Sequence, residues 1–435
     1  MTSLTGVLDL LASRFLLDTQ AQEILVAMLV VCAFFGAILA GPMSMRMGRR
    51  ATMQFAAALM VLCFVLILGE PNYSGLLLAR CGLGLGVGLS SMVVPMYAAE
   101  VTPARQRGAV VAMFQLAITA GILIAYGTSF LFAHTWPWPR VLGVGVVFAV
   151  AGWLLVLSLP ESPRWLQARG RDSQARAVTE RLKLESAADE INSGEAQSQP
   201  AHDNGRVCAA QTTHASRKSI TAVLLLCGGL FVLQNLSGID GILYYAPHIF
   251  QTMGFDAGKA TLGATLGLGL VNFLATLVAL RYVDTAGRRP LLLGGALLMS
   301  VGMAMVVLAS EYHWSWVGLA GLCIFIMAFA VSLGPLPYVM MSELFPSSFR
   351  ERGIAAASSI SWLFNALIAF TFLSAVQWVG LTMVLVFFLC VCLLSFLIGL
   401  MYLPETRGTG LEQIESNLLD GKRLRDLGRT TDKPC

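Results

Sequence analysis

Amides, a carboxylate and hydroxyls stand inside long apolar runs of this chain: Gln115, Gln234, Asn235, Ser237, Asp240, Asn272, Ser361 and Asn365. Phe329, Tyr244, Tyr245, Tyr338 and Trp362 lie among them. An amide offers a donor and an acceptor to neighbouring hydroxyls, and an aromatic ring can cover the apolar face of a sugar. Without a fixed cluster of charge, this set suits a neutral polyhydroxylated solute better than an ion or amino acid. The other use of such amides is to bond one buried helix to the next. Asp240 has three readings: a strong acceptor for hydroxyls, a protonation site, or a residue facing a wet cavity.

A second set of side chains sits at the ends of the apolar runs: Arg49, Glu100, Arg107, Glu161, Asp284, Arg288, Arg289, Glu343, Arg350 and Glu405. Opposite charges there can bridge two halves of a protein while one face is shut, and must part when it opens. Each partly solvated bridge is worth about 0–1 kcal/mol, so several together bias such an equilibrium by a few. The arginines also serve to set topology and to anchor in headgroups. No nucleophile–base pair and no metal-ligand spacing is found, which argues against an enzyme and implies neither cofactor nor metal.

The elements that must position these groups follow from composition. Of 435 residues, 56% are hydrophobic and 12% charged, and the mean hydropathy is +0.72. Soluble chains carry about 25% charged residues, so a soluble enzyme, a secreted scaffold and a disordered chain are poor candidates. The net charge of +4 is spread in small clusters, unlike a nucleic-acid-binding surface. Cys32, Cys63, Cys81, Cys227, Cys323, Cys390 and Cys392 fall in apolar runs and read as small buried hydrophobes.

A helix needs about 20 apolar residues to cross a bilayer. That ruler gives spans at 22–41, 51–69, 74–98, 108–132, 139–158, 219–250, 259–282, 290–310, 314–341, 353–377 and 381–402. The spans 74–98, 219–250 and 314–341 are among the longest and hold Gly, Pro or polar interruptions. Residues 1–13 rise only about 20 Å as a helix and read as the back half of a first span. Arg46, Arg49, Arg50, Arg105, Arg107, Arg281, Arg288, Arg289, Arg350 and Arg352 occupy alternate loops, which the positive-inside rule places in the cytoplasm with both chain termini. Residues 160–218 are polar: Ser173–Leu184 reads as helix and Ser186–Thr213 as linker, with His202, Cys208 and His214 solvated rather than metal-binding.

Internal repetition organises the whole. Gly48-Arg49-Arg50 recurs as Gly287-Arg288-Arg289, Glu100 with Arg107 recurs as Glu343 with Arg350, and Leu159-Pro160-Glu161-Ser162 recurs as Leu403-Pro404-Glu405-Thr406, each about 240 positions on. The chain divides into a first bundle (1–158), a polar insert with short helices (159–218), a second bundle (219–403) and a tail (404–435). Parallel repeats are an architecture of transporters that work by alternating access about a midplane site.

At these residues the chain resembles the sugar porter family of the major facilitator superfamily. The resemblance runs from about Thr5 to Ile414, linker apart. Its motifs are Gly41-x-x-x-x-Arg46-x-Gly48-Arg49-Arg50; Pro95-Met96-Tyr97-Ala98-Ala99-Glu100 leading to Arg107-Gly108; Pro160-Glu161-Ser162-Pro163-Arg164-Trp165; Gln234-Asn235-Leu236-Ser237-Gly238 with Tyr244-Tyr245; Asp284-x-x-Gly287-Arg288-Arg289-Pro290; Gly334-Pro335-Leu336-Pro337 leading to Glu343-Leu344-Phe345-Pro346; and Pro404-Glu405-Thr406-Arg407-Gly408. It implies an all-α polytopic membrane protein of the major facilitator fold: two six-helix bundles, the first helix truncated, with a cytoplasmic helical insert.

By this resemblance Gln115, Gln234, Asn272, Asn365 and Thr5 stand at sugar-contacting positions. Asn235 replaces a usual Gln, Asp240 a usual Asn, Tyr338 a usual Trp and Ser361 an Asn. Met45 replaces an Asp or Asn after the second helix, which predicts a weaker contact in the first half than at Asp284. Leu4 stands where symporters often carry the Asp that pairs with the arginine matched by Arg80. The implied function is monosaccharide transport by facilitated diffusion in preference to proton symport, with Asp240 and Arg80 as the candidate coupling residues. A proton-coupled polyol or inositol transporter and a non-transporting sugar sensor are the alternatives, and the short tail after Ile414 counts against the sensor. The implied partners are a small-molecule sugar, membrane lipid and, for a symporter, protons; the expectation is a monomer in a bacterial cytoplasmic membrane.

Overall fold

In the computed structural model, residues 4, 7–102, 107–133, 135–182, 217–256, 258–312, 314–345, 350–407, 409 and 411–428 are described. Among them, eleven helical stretches are long and apolar enough to cross a membrane, in the order the sequence predicts. Their outer faces are apolar: Leu62, Leu155, Leu225 and Met383 are each more than 60% exposed. Water-soluble proteins rarely expose large apolar patches.

Before the first of these spans lies α1 (Leu8–Phe15), which ends at Leu16 with φ +52°. Leu4, Val7 and Leu11 are at most 1% exposed, and the Phe15 ring packs edge-on against Trp138, so this short helix is seated in the bundle. The first half continues as α2 (Thr19–Met47), α3 (Arg49–Leu68), α4 (Tyr73–Val101), α5 (Arg107–Phe132), α6 (Trp138–Gly143) and α7 (Gly145–Ser158). Asp18 and Asn72 cap α2 and α4, accepting from the N–H groups of Ala21 and Gly75. α2 and α4 touch backbone to backbone: a Cβ on Gly84 or Gly88 would meet the carbonyl of Leu29 or Ala33 at 2.2 or 2.1 Å. Small residues give such contacts where lipid supplies no hydrophobic drive between helices.

The span at 74–98 is one unbroken helix despite Pro95. The span at 139–158 keeps helical backbone angles through Val144 (φ −51°, ψ −30°); a Cβ added at Gly143 or Gly145 beside it would meet the side chain of Leu68 or Phe64 at 2.3 Å.

The polar insert supplies α8 (Pro163–Ala168) and α9 (Asp172–Arg181), the second close to its predicted bounds. Residues 186–213, with His202, Cys208 and His214, lie outside the described residues. The second half follows as α10 (Arg217–Leu236), α11 (Ile239–Thr252), α12 (Lys259–Ala286), α13 (Arg288–Tyr312), α14 (Ser315–Val331), α15 (Leu336–Leu344), α16 (Arg350–Val379), α17 (Leu381–Tyr402) and the tail helix α18 (Leu411–Leu419). Helices pack mainly within their own half; across the halves α2 lies on α16 and α5 on α12.

Both long interrupted spans of the second half are broken helices. Between α10 and α11 the break is at Gly238, with φ +91°; a Cβ there would meet the Phe388 ring at 2.2 Å, so only glycine serves. The other break runs through Ser332–Pro335 between α14 and α15. Non-helical backbone at membrane depth is tolerated when neighbouring protein groups satisfy it. Here the Gln234 side chain donates to the Gly334 carbonyl at 3.0 Å, so one broken helix satisfies the other.

Candidate functional site

The repeated charge clusters occupy one end of the bundle, hereafter the cluster end. Gly48 joins α2 to α3 with φ +99° and ψ 166°, bringing the first N–H groups of α3 toward Glu161. Glu161 Oε1 accepts from the backbone N–H groups of Arg49 at 2.9 Å, Arg50 at 3.1 Å and Ser162 at 2.9 Å. The second half repeats this: Gly287 has φ +91°, and Glu405 accepts from the N–H groups of Arg288 at 3.0 Å and Arg289 at 3.1 Å. A carboxylate at a helix N-terminus satisfies free donors and complements the helix dipole. Glu161 and Glu405 are thus helix caps, a role the ion-pair expectation missed.

The arginine side chains turn the other way. Arg49 binds Glu100 through Nε at 3.1 Å and Nη2 at 3.0 Å, with both side chains under 10% exposed. Arg288 pairs with Glu343 at 3.1 Å, whose second oxygen accepts from Thr406 at 2.5 Å. Each of these pairs closes within its own half, where the sequence suggested bridges between halves. The side chains of Arg107, Asp284 and Arg350 lie outside what is described. Met45 brings no polar side chain to this end, but its carbonyl accepts from Trp165 Nε1 at 2.9 Å and from Arg169 at 3.0 Å.

The polar groups at mid-depth gather around the two helix breaks. Asp240, in the first turn of α11, lies within hydrogen-bond reach of Tyr244 and Asn365, and Tyr244 donates to Asn365 Oδ1 at 3.1 Å. Asn235 donates to the Phe231 carbonyl at 2.7 Å and to Ser361 Oγ at 3.1 Å. Tyr338 stands edge-on to Phe231 with centroids 4.9 Å apart. Gln234, Asn235, Asp240, Tyr338 and Asn365 thus form a patch beside the two breaks, on α10, α11, α15 and α16. All three of its amides are engaged in this conformation: Gln234 with the Gly334 carbonyl, Asn235 with Ser361, and Asn365 as acceptor from Tyr244. Asn272 on α12 is 4% exposed, Gln115 on α5 is partly exposed, and Thr5 lies outside the described residues.

Arg80 is 4% exposed and donates to the Val26 carbonyl at 3.1 Å. Both residues lie seven positions into helices that start at Thr19 and Tyr73. Arg80 thus sits toward the end opposite the clusters. Leu4 is a buried apolar residue, 1% exposed.

Sequence reasoning missed Glu23. It stands in the second turn of α2, 2% exposed, and accepts from the Ser374 N–H at 2.7 Å and the Ser374 hydroxyl at 2.5 Å. A carboxylate inside an apolar span is a signal in itself, but Glu23 lies near the edge of its span and reads there as a boundary residue. At the same end Gln377 donates to Thr19 Oγ1 at 2.7 Å, and Tyr126 donates to the Leu243 carbonyl at 2.6 Å. These three contacts tie the halves together away from the clusters. A fourth, from Trp362 Nε1 to Ser91 Oγ at 3.2 Å, lies deeper.

The profile described as "Sugar (and other) transporter" matches residues 11–418. The galactose-proton symporter of Escherichia coli (strain K12) is 34% identical over 437 residues, covering 98% of this chain and 92% of the relative. The arabinose-proton symporter of the same strain is 31% identical over 439 residues, covering 98% and 91%. The crystallised proton:xylose symporter XylE, bound to 6-bromo-6-deoxy-D-glucose, superposes with a TM-score of 0.78 at 26% identity, covering 98% of this chain and 94% of that one. The architecture is the major facilitator fold of a multi-pass membrane protein.

Proposed function

The chain belongs to the sugar (and other) transporter family, and on that premise we propose that it carries a monosaccharide, a hexose or pentose, across a bacterial cytoplasmic membrane by alternating access. The observation that carries this reading is the single patch of Gln234, Asn235, Asp240, Tyr338 and Asn365 at two facing helix breaks. Amide, carboxylate and phenol groups there present donors and acceptors without a fixed cation, which matches the hydroxyls of a neutral sugar. Gln115 and Asn272, from α5 and α12, complete the site from the helices that face each other across the halves.

The cluster end is the cytoplasmic end in this reading, by the positive-inside rule. Arg49–Glu100 and Arg288–Glu343, with the Glu161 and Glu405 caps, stiffen each half so that it moves as one body. Arg107, Asp284 and Arg350 supply the charges that meet when that end shuts. The protein acts as a monomer, with lipid around its apolar faces.

A second question is coupling. Leu4 favours facilitated diffusion, whereas Asp240 in the patch and the symport named for both bacterial relatives favour a proton. We take proton symport as the better supported reading. The test is counterflow of labelled hexoses, pentoses and inositol in proteoliposomes, with and without a pH gradient. Exchange of at least one sugar, with accumulation driven by an inward proton gradient, is the expected result. Exchange without accumulation would return the reading to facilitated diffusion, and no exchange of any sugar would refute transport.

A further inference from the structure

We propose that Glu23 is the clasp that holds the far end of the transporter shut, and that its release from Ser374 is the step that opens this end. The proposal rests on the transporter reading above and on the positive-inside orientation, which makes the far end the outer one.

The geometry is specific. Glu23 belongs to α2 of the first half and Ser374 to α16 of the second, 351 residues apart. One carboxylate oxygen takes the main-chain N–H of Ser374 and the other takes its hydroxyl, so a single side chain binds the partner helix at two points. The N–H of a residue within a helix is ordinarily used by the carbonyl four residues back. A carboxylate reaching it competes with that bond, at a place where side chains that insert into the ladder make a helix bend. The same stretch of α16 is held from a second side: Tyr245 of α11 donates to the Ala369 carbonyl at 2.9 Å and stacks on Phe372 with centroids 5.1 Å apart. The outer third of α16 is therefore gripped between α2 and the helix that carries Asp240.

A buried carboxylate at this depth is costly unless its oxygens are bonded. In the shut state Ser374 bonds both of them. If the halves part at this end, water reaches the carboxylate and replaces those bonds. The charge is satisfied in either state and unsatisfied only in between, which makes the element two-state rather than graded, with a small net difference that a bound sugar can bias. Gln377 with Thr19 adds an exposed bond that water can replace at little cost, so Glu23 carries the grip.

The test is amide hydrogen exchange of the full-length protein in lipid nanodiscs without sugar, comparing wild type with Glu23→Ala, Glu23→Gln, Ser374→Ala and Gln377→Ala. In Glu23→Ala, exchange in peptides 17–25 and 370–377 should rise about tenfold or more, the ratio set by one hydrogen bond to a charged group. In the same variant, exchange around 44–52 and 97–101 at the opposite end should fall, because alternating access closes one end as the other opens. Ser374→Ala and Glu23→Gln should show the same reciprocal pattern more weakly, and they carry the test if Glu23→Ala does not fold. Gln377→Ala should leave it unchanged. Faster exchange confined to the outer peptides, or no change, would overturn the clasp, since local loosening does not slow the opposite end. Wild-type sugar counterflow is measured alongside: its absence refutes the transport reading, whereas its presence without the reciprocal pattern refutes the clasp alone.

Discussion

Replacing Gly48 by alanine tests whether the carboxylate caps are what fix the cluster end. Gly48 has φ +99° and ψ 166°, a region of backbone space used almost only by glycine. Holding another residue there costs about 1–3 kcal/mol. The added Cβ would also come within 2.3 Å of Glu161 Oε2, so the carboxylate must move. Glu161 Oε1 accepts from three backbone N–H groups, and losing one charge-assisted bond costs about 1.5–3 kcal/mol. The expected total is about 3–6 kcal/mol, a large share of a typical folding free energy of about 5–15 kcal/mol.

The assay is the thermal melt of the protein in detergent, followed by intrinsic fluorescence and by the loss of monodisperse protein. Gly294→Ala is the control: it lies in the interior of α13 with nothing within 4 Å of the added Cβ, and should be neutral or stabilising by about 0.5–1 kcal/mol. In a Glu161→Ala background the Gly48 change should cost only the backbone strain, about 1–3 kcal/mol, so the cycle isolates the cap. A Gly48→Ala protein that melts with wild type, or an identical cost in both backgrounds, would refute the capping argument.

Other outcomes follow from the same geometry. Gln234→Ala should lower sugar affinity about tenfold in equilibrium binding, because it removes a patch amide and leaves the Gly334 carbonyl without its donor. Asp240→Asn should weaken sugar binding by a similar factor; if its transport keeps the parent's pH dependence from about pH 5 to 8, Asp240 is not the coupling group. Arg49→Lys should destabilise by about 1.5–3 kcal/mol in the melt, since lysine cannot make the two-point contact with Glu100, and Glu100→Gln should abolish most of the difference. Trp165→Phe should cost about 1 kcal/mol or less, because the Met45 carbonyl keeps Arg169 as a donor.

The sequence by itself determined the number, order and approximate bounds of the spans, because lipid permits only helices whose backbone is satisfied internally and whose sides are apolar. It also determined the two-fold repeat, since Gly48-Arg49-Arg50 and Gly287-Arg288-Arg289 are legible as text. From the run of amides and aromatics it determined the polar candidates, most of which the fold gathered on α10, α11, α15 and α16, with Gln115 on α5 and Asn272 on α12. What each charge does was decided by tertiary structure. Glu161 and Glu405 cap helices because glycine turns aim N–H groups at them, and Arg49 and Arg288 find acids of their own half. Arg80 lies toward the far end, donating to the Val26 carbonyl. Glu23 gained a role only when α2 met α16: hydropathy records how apolar a span is, but a partner 351 residues away exists only once the chain is folded.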